Sequence, residues 1–94
     1  MKETIRILGI DPGSQITGFG LIDICGDSTK LVECGSIRTS GDHSERLRQI
    51  FAQVSEVVGK YRPSEIAIES VFVNKNAGSA LKLGQARSAA LCAT

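Results

Sequence analysis

The chain has 94 residues, of which 41% are apolar, and this permits one small domain with a modest core. Eleven basic and ten acidic residues give a formal charge of +1, which excludes a globally basic nucleic-acid-binding surface, so any DNA-binding surface must be local. The start is charged and no run of about 18 apolar residues occurs, so we expect a cytoplasmic protein without a membrane segment. Three cysteines without a CxxC pair fit neither a disulfide framework nor a zinc site, and we expect them to be reduced and structural.

The first part of the chain predicts three strands. Residues 5–10 are nearly all apolar, as in a central strand covered on both faces, and the turn signal at residues 12–13 ends them. Residues 17–25 and 30–39 alternate in polarity, and a polar turn over residues 26–29 separates them. We therefore predict that the second and third strands form an antiparallel hairpin.

The middle of the chain predicts a helix and a fourth strand. Asp42 and Glu45 form a capping box, and Pro63 ends the apolar periodicity that follows. Residues 65–69 predict a short buried strand, which should return parallel to the first and third strands through a right-handed crossover. The predicted apolar stripe of the helix consists of Leu47, Ile50, Phe51, Val54, Val57, Val58 and Tyr61.

A last helix is expected after Asn76, which can cap it. No glycine or proline follows its last turn, so we expect the natural protein to continue beyond Thr94. Ala80, Gly84 and Ser88 recur every four residues and offer a low ridge for close packing against another helix, in the same subunit or in a partner.

Two carboxylates, Asp11 and Glu69, stand at the ends of predicted buried strands. If the fourth strand lies beside the first, both acids reach the carboxyl ends of neighbouring parallel strands about 4.8 Å apart. Carboxylates that close share a proton or hold a cation, and Mg²⁺ suits them best. Such cations serve phosphodiester cleavage, although a two-metal site normally takes more than two carboxylates. Alternatively, Asp11 only opens an Asx turn and Glu69 only caps the next loop.

Two sequence blocks carry a family resemblance: GIDPGSQITGFG at residues 9–20 and AIESVFVNKNAGSALKLGQAR at residues 67–87. They resemble the opening hairpin, and the following strand, loop and helix, of RuvC-type Holliday-junction resolvases. The first block alone also resembles the phosphate-binding hairpin of the actin and heat-shock ATPases, so the second block is the specific signal. The resemblance implies an α/β, ribonuclease H-like fold, in which a mixed five-stranded sheet is flanked by helices. Residues 1–94 would form the N-terminal part of one nuclease domain, truncated after the fourth strand and second helix.

The resemblance also implies the activity of a crossover junction endodeoxyribonuclease, which resolves Holliday junctions in DNA recombination and repair by nicking two opposed strands. Asp11 and Glu69 match the first two acidic metal ligands of the family. Two further acids lie on a C-terminal helix in a region that this sequence does not reach. We therefore expect two Mg²⁺ ions in the complete site and inefficient cleavage by the 94-residue chain alone. The implied partners are four-way junction DNA, a second copy in a homodimer, and branch-migration motor proteins.

The loop after the fourth strand carries the main DNA-binding candidates. By resemblance, Phe72 matches an aromatic residue near the junction centre, where it could stack on an unpaired base; alternatively, it is a core residue that seats the loop. Asn74, Lys75 and Asn76 can donate to phosphate oxygens, contacts that position DNA without reading its sequence.

Weaker candidates lie elsewhere. Ser14, Lys82 and Arg87 are single polar or basic residues, which are usually only solvated, and we interpret His43 as a surface residue. The resemblance places the last helix in the dimer interface, and this gives a partner to the ridge formed by Ala80, Gly84 and Ser88.

Two other function classes remain open. An actin-like ATPase predicts a second glycine-rich phosphate loop, and residues 67–87 contain none. A non-catalytic interaction module predicts junction binding without cleavage in Ca²⁺ or Mg²⁺.

Overall fold

The computed structural model describes residues 3–70 and 77–94. The elements are β1 (Thr4–Asp11), β2 (Ile16–Cys25), β3 (Ser28–Arg38), α1 (His43–Tyr61), β4 (Glu65–Ile68) and α2 (Ala77–Cys92). The predicted order and type of the elements are confirmed, and the strand ends lie within two residues of the predicted ones.

The four strands form one mixed sheet in the order β3-β2-β1-β4. β2 pairs antiparallel with both β1 and β3, and β4 pairs parallel with β1, as the crossover rule predicts. The turn between β2 and β3 is tighter than expected, because the ladder continues to the pair Cys25–Ser28 and leaves only residues 26–27 outside it. Gly26, the first loop residue, has a φ of 60°, as the first loop position of a type II′ turn requires. The backbone twist of this turn type matches the twist of the two strands that it joins.

The core lies between one face of the sheet and the two helices. Each of the large aliphatic side chains buried there contributes about 1.5–3 kcal/mol. Phe51 was predicted in this stripe, but its side chain is 47% exposed, because the buried line of α1 runs through Ile50 and Val54. The buried apolar residues are Leu8, Ile10, Leu21, Ile37, Ile50, Val54, Ala86 and Ala90.

Both ends of α1 follow the predicted signals. The Asp42 side chain accepts a hydrogen bond from the main-chain N–H of Glu45, which makes Asp42 the N-cap. At the other end, Arg62 adopts a left-handed conformation with φ 50°, and its N–H donates to the Val58 carbonyl. The helix therefore stops just before Pro63, where the sequence predicted its end.

Two further predictions concern the cysteines and the membrane. None of the three cysteines forms a disulfide, but Cys34 and Cys92 are exposed, so they take no part in the core. Neither described helix combines the length and the apolar character that crossing a membrane requires.

Candidate metal centre

Asp11 and Glu69 meet at one edge of the sheet. Asp11 is the last residue of β1, and Glu69 follows the last residue of β4. The parallel register pairs Ile10 with Ile68, so the two acids occupy the next position on adjacent strands. Leu8 and Ile10 point into the core, and strand alternation therefore places Asp11 on the opposite face, where both carboxylates are exposed.

The two carboxyl groups interact directly. A hydrogen bond with the Asp11 side chain raises the pKa of Glu69, and the negative charge of Asp11 and partial desolvation raise it further. Without a cation, the pair therefore relieves its repulsion by sharing a proton. A divalent cation in the same position would remove the need for that proton.

The donor set fits a hard cation such as Mg²⁺. Both ligating groups are carboxylates, and this ion prefers oxygen ligands while retaining several waters. Within residues 3–70 and 77–94, no third acidic, histidine or cysteine side chain joins the pair. The described residues thus supply two protein ligands, which leaves coordination positions for water and for the oxygens of a substrate.

Small residues lie on the sheet face beside the carboxylates. An open groove of about 550 Å³ adjoins Asp11 and Glu69, and its floor includes Gly9, Gly20 and Ala67. A Cβ atom built at Gly20 would meet no atom within 4 Å, so the space above this residue is open. The groove therefore leaves room for a sugar-phosphate backbone to come close to the carboxylates.

Of the five DNA-binding candidates in predicted loops, the structure describes only Ser14. Phe72, Asn74, Lys75 and Asn76 lie outside the described residues and stay predictions. Ser14 lies half-buried in the loop between β1 and β2, where its main-chain carbonyl accepts a hydrogen bond from the Thr39 hydroxyl. Ser14 lies three residues after Asp11, and Thr39, the residue that follows β3, holds its loop.

Arg87 and His43 have partners that the sequence did not indicate. Arg87 Nε donates to the main-chain carbonyl of Glu69 over 3.1 Å, which ties α2 to the metal-site edge of β4. His43 Nε2 lies 2.7 Å from Gln85 Oε1 and links the start of α1 to α2. Arg87 is therefore more than a solvated side chain, whereas the exposed contact of His43 is compatible with its interpretation as a surface residue. Helix packing brings together positions that no local pattern connects.

The outer face of α2 is more apolar than the predicted ridge. Ala80 and Gly84 are half-buried and Ser88 is exposed. Two leucines that the sequence analysis missed flank this ridge, Leu81 with 63% and Leu91 with 48% of its surface exposed. Their spacing with Gly84 and Ser88 follows alternating steps of three and four residues, which is the available sequence signal.

The chain is similar to the proteins of one family. A family model described as "Crossover junction endodeoxyribonuclease RuvC" matches residues 7–94. The protein of that name from Methylococcus capsulatus is 57% identical over 89 residues, which cover 94% of this chain and 53% of that protein. The structure described as "T. thermophilus RuvC in complex with Holliday junction substrate" matches with a TM-score of 0.84 and 31% identity, over 95% of this chain and 57% of that one.

A more distant likeness bears on the ATPase alternative. The PPX-GPPA enzyme of Aquifex aeolicus matches with a TM-score of 0.63 and 11% identity, over 97% of this chain and 32% of that one. Such a likeness shows the fold alone and gives the ATPase alternative no functional support.

The curated relatives are longer than this chain. This chain spans about half of their length. The family match nevertheless runs through both acidic positions and nearly every residue. The chain therefore belongs to the crossover junction endodeoxyribonuclease RuvC family and has its ribonuclease H-like fold.

Proposed function

We propose that the full-length protein carrying this chain is an endonuclease that resolves Holliday junctions in DNA by metal-dependent paired nicking. The single observation that carries this proposal is the contact between the Asp11 and Glu69 carboxyl groups at the ends of adjacent parallel strands. Two carboxylates this close repel each other, which costs stability, and a bound cation would offset that cost.

Asp11 and Glu69 would hold Mg²⁺ in this reaction, and two further acids from the following region would complete a two-ion site. When bound, the ions activate a water and stabilise the leaving oxygen of the phosphodiester. The chain's own residues do the positioning. Strand pairing fixes the two carboxylates, the bond from Arg87 restrains the main chain of Glu69, and the low groove admits the DNA backbone.

Residues 1–94 would be the N-terminal part of one nuclease domain. With half of the ligand set, this part alone should bind Mg²⁺ weakly and cleave inefficiently. Four-way junction DNA is the proposed substrate, supported by the relative whose structure is described in complex with that substrate. The proposed DNA contacts are Phe72 by stacking and Ser14, Asn74, Lys75 and Asn76 at phosphates. Branch-migration motor proteins are proposed partners on the family resemblance alone.

The proposed homodimer uses the outer face of α2. Two exposed leucines beside the small residues Gly84 and Ser88 would bury apolar surface against a second copy. Replacing both Leu81 and Leu91 with Glu should convert the full-length protein to a monomer in sedimentation experiments. Lys82→Glu is the control, because Lys82 is exposed on the same helix. A wild-type protein that sediments as a monomer would contradict the homodimer.

The activity is tested with a mobile four-way junction and Mg²⁺. We expect symmetrically paired nicks by the full-length protein, their loss in Asp11→Asn and Glu69→Gln, and no cleavage of linear duplex. Junction binding without nicking by the wild type, in Mg²⁺ as in Ca²⁺, would instead identify a binding module.

A further inference from the structure

The loop of residues 12–15, which directly follows Asp11, is held through three successive carbonyl groups. The Gly13 carbonyl accepts a hydrogen bond from Thr17 Oγ1 over 2.8 Å, and the Ser14 carbonyl accepts one from Thr39 Oγ1. The Gln15 carbonyl accepts one from the main-chain N–H of Thr39 over 3.0 Å. Two threonines therefore fix this loop, Thr17 from within the hairpin and Thr39 from the end of β3.

This arrangement leaves main-chain donors available beside the metal centre. The N–H groups of Ser14 and Gln15 make no hydrogen bond to any residue that the structure describes. Successive main-chain N–H groups in a turn can form a concave binding site for an anion. The loop thus presents two donors immediately after a carboxylate that is proposed to hold a cation.

Thr39 is itself held by α1. Arg46 donates through Nη1 to the Thr39 carbonyl over 2.8 Å and to the Thr39 hydroxyl oxygen over 3.1 Å, and through Nε to the Gly41 carbonyl over 2.9 Å. Gln49 exchanges two hydrogen bonds with the main chain of Ser40, over 3.0 and 2.8 Å. Because the Thr39 hydroxyl oxygen accepts from Arg46, its own proton is left for the loop, where the Ser14 carbonyl is the nearer acceptor and the Gln15 carbonyl lies 3.3 Å away.

We propose that Thr39, oriented by Arg46, is a positioning residue that holds the loop of residues 12–15 so that Asp11 and the free N–H groups face a phosphate of the DNA substrate. The inference rests on the proposed function. Its physical basis is a continuous line of hydrogen bonds from the packed helix α1, through Thr39, to the loop that continues from Asp11. A displacement of about 1 Å in such a line can lower a reaction rate by about a hundredfold.

The test uses the full-length protein with Thr39→Val, which keeps the shape of the side chain and removes its hydroxyl group. In single-turnover cleavage of a four-way junction, we expect the rate to fall by about tenfold to a hundredfold. We also expect a higher Mg²⁺ concentration to be needed for half of the maximal rate. Thr39→Ser should restore both quantities, since it returns the hydroxyl group. The matched control is Thr29→Val, at an exposed position of β3, the strand after which Thr39 lies.

A second variant covers the case in which Thr39→Val fails to fold. Arg46→Gln leaves Thr39 in place but removes the donor that orients it, so the rate and the Mg²⁺ requirement should move in the same direction. Arg48→Gln, an exposed arginine of the same helix, should leave both unchanged. Wild-type behaviour of Thr39→Val and Arg46→Gln at every Mg²⁺ concentration would overturn the proposal, as would failure of Thr39→Ser to restore cleavage.

The inference and the proposed function fail separately. A wild-type protein that nicks no junction contradicts the proposed function. The rise in melting temperature on adding Mg²⁺ alone still tests the positioning of Asp11. A rise that is equally large in wild type and Thr39→Val would overturn the inference, and a smaller rise in Thr39→Val would support it.

Discussion

The main-chain N–H of Glu69 donates a hydrogen bond to the Ile10 carbonyl over 3.0 Å. This bond continues the parallel pairing of β4 with β1 beyond the last residue of β4, and it places the Glu69 side chain beside that of Asp11, the residue after Ile10. The meeting of the two carboxylates is thus a consequence of strand register. Any change that shifts this register by one residue would turn one carboxylate to the opposite face of the sheet.

The carboxylate pair predicts a pH-dependent cost to stability. Asp11 raises the pKa of Glu69, so the folded chain binds more protons than the unfolded chain at pH values between the usual glutamate pKa and the raised one. Stability must then fall as the pH rises through that window. Asp11→Asn should flatten this dependence and raise the metal-free melting temperature at neutral pH, measured between about pH 4 and 8. Asp27→Asn in the exposed β2–β3 turn is the control, and identical pH profiles of wild type and Asp11→Asn would contradict the prediction.

Divalent cations should offset the loss of stability that the repulsion between Asp11 and Glu69 causes. A cation that binds only the folded chain stabilises it by mass action. Adding Mg²⁺ at neutral pH is expected to raise the melting temperature of the wild-type chain. Asp11→Asn and Glu69→Gln should lose this rise, because each leaves a single carboxylate. An equal response of both variants and the wild type would place the cation elsewhere.

Stability depends on the sheet face that packs against the helices. The side chain of Leu21 is fully buried, so Leu21→Ala should lower the free energy of unfolding by about 2–5 kcal/mol. Leu31, on the neighbouring strand, is 62% exposed, and Leu31→Ala should change it by less than about 0.5 kcal/mol. Urea denaturation measures both, and similar losses for the two variants would mean that the core is placed wrongly.

Gly13 is required by sterics rather than by its backbone conformation. A Cβ atom at this position would lie 2.1 Å from the Ile16 carbonyl oxygen, which belongs to the rigid main chain. Gly13→Ala should therefore displace the loop after Asp11 and lower both stability and junction cleavage.

The control for this substitution is Gly59→Ala. A Cβ atom built at Gly59, in the exposed part of α1, would meet nothing within 4 Å. This variant should increase the free energy of unfolding by about 0.5–1 kcal/mol, because alanine is the better helix former. Gly13→Ala with wild-type stability and cleavage would show that the loop can rearrange at little cost.

Local patterns in the sequence were sufficient for the elements and for the pair of acids. Strand alternation, the helical stripe and the signals at Asp42 and Pro63 act over a few residues, so they predict an element wherever they occur. The crossover rule then predicted the parallel direction of β4. The meeting of Glu69 with Asp11 was predicted only on the condition that β4 lies beside β1, and the structure shows this pairing. The exposure of Phe51 escaped this reasoning, because a periodic pattern does not say how wide the buried stripe of a helix is.

Only the tertiary structure decided which side chains hold the segments that carry the two carboxylates. The bonds from Arg87 to Glu69 and from Thr39 to Ser14 join residues on different elements. Their partners depend on how α2 crosses the end of β4 and how the end of β3 meets the β1–β2 loop. Such contacts arise from the packing of whole elements, and single polar residues carry no periodicity that would reveal them. For the same reason, the exposure of Leu81 and Leu91 became apparent only once α2 lay with Ala86 and Ala90 in the core.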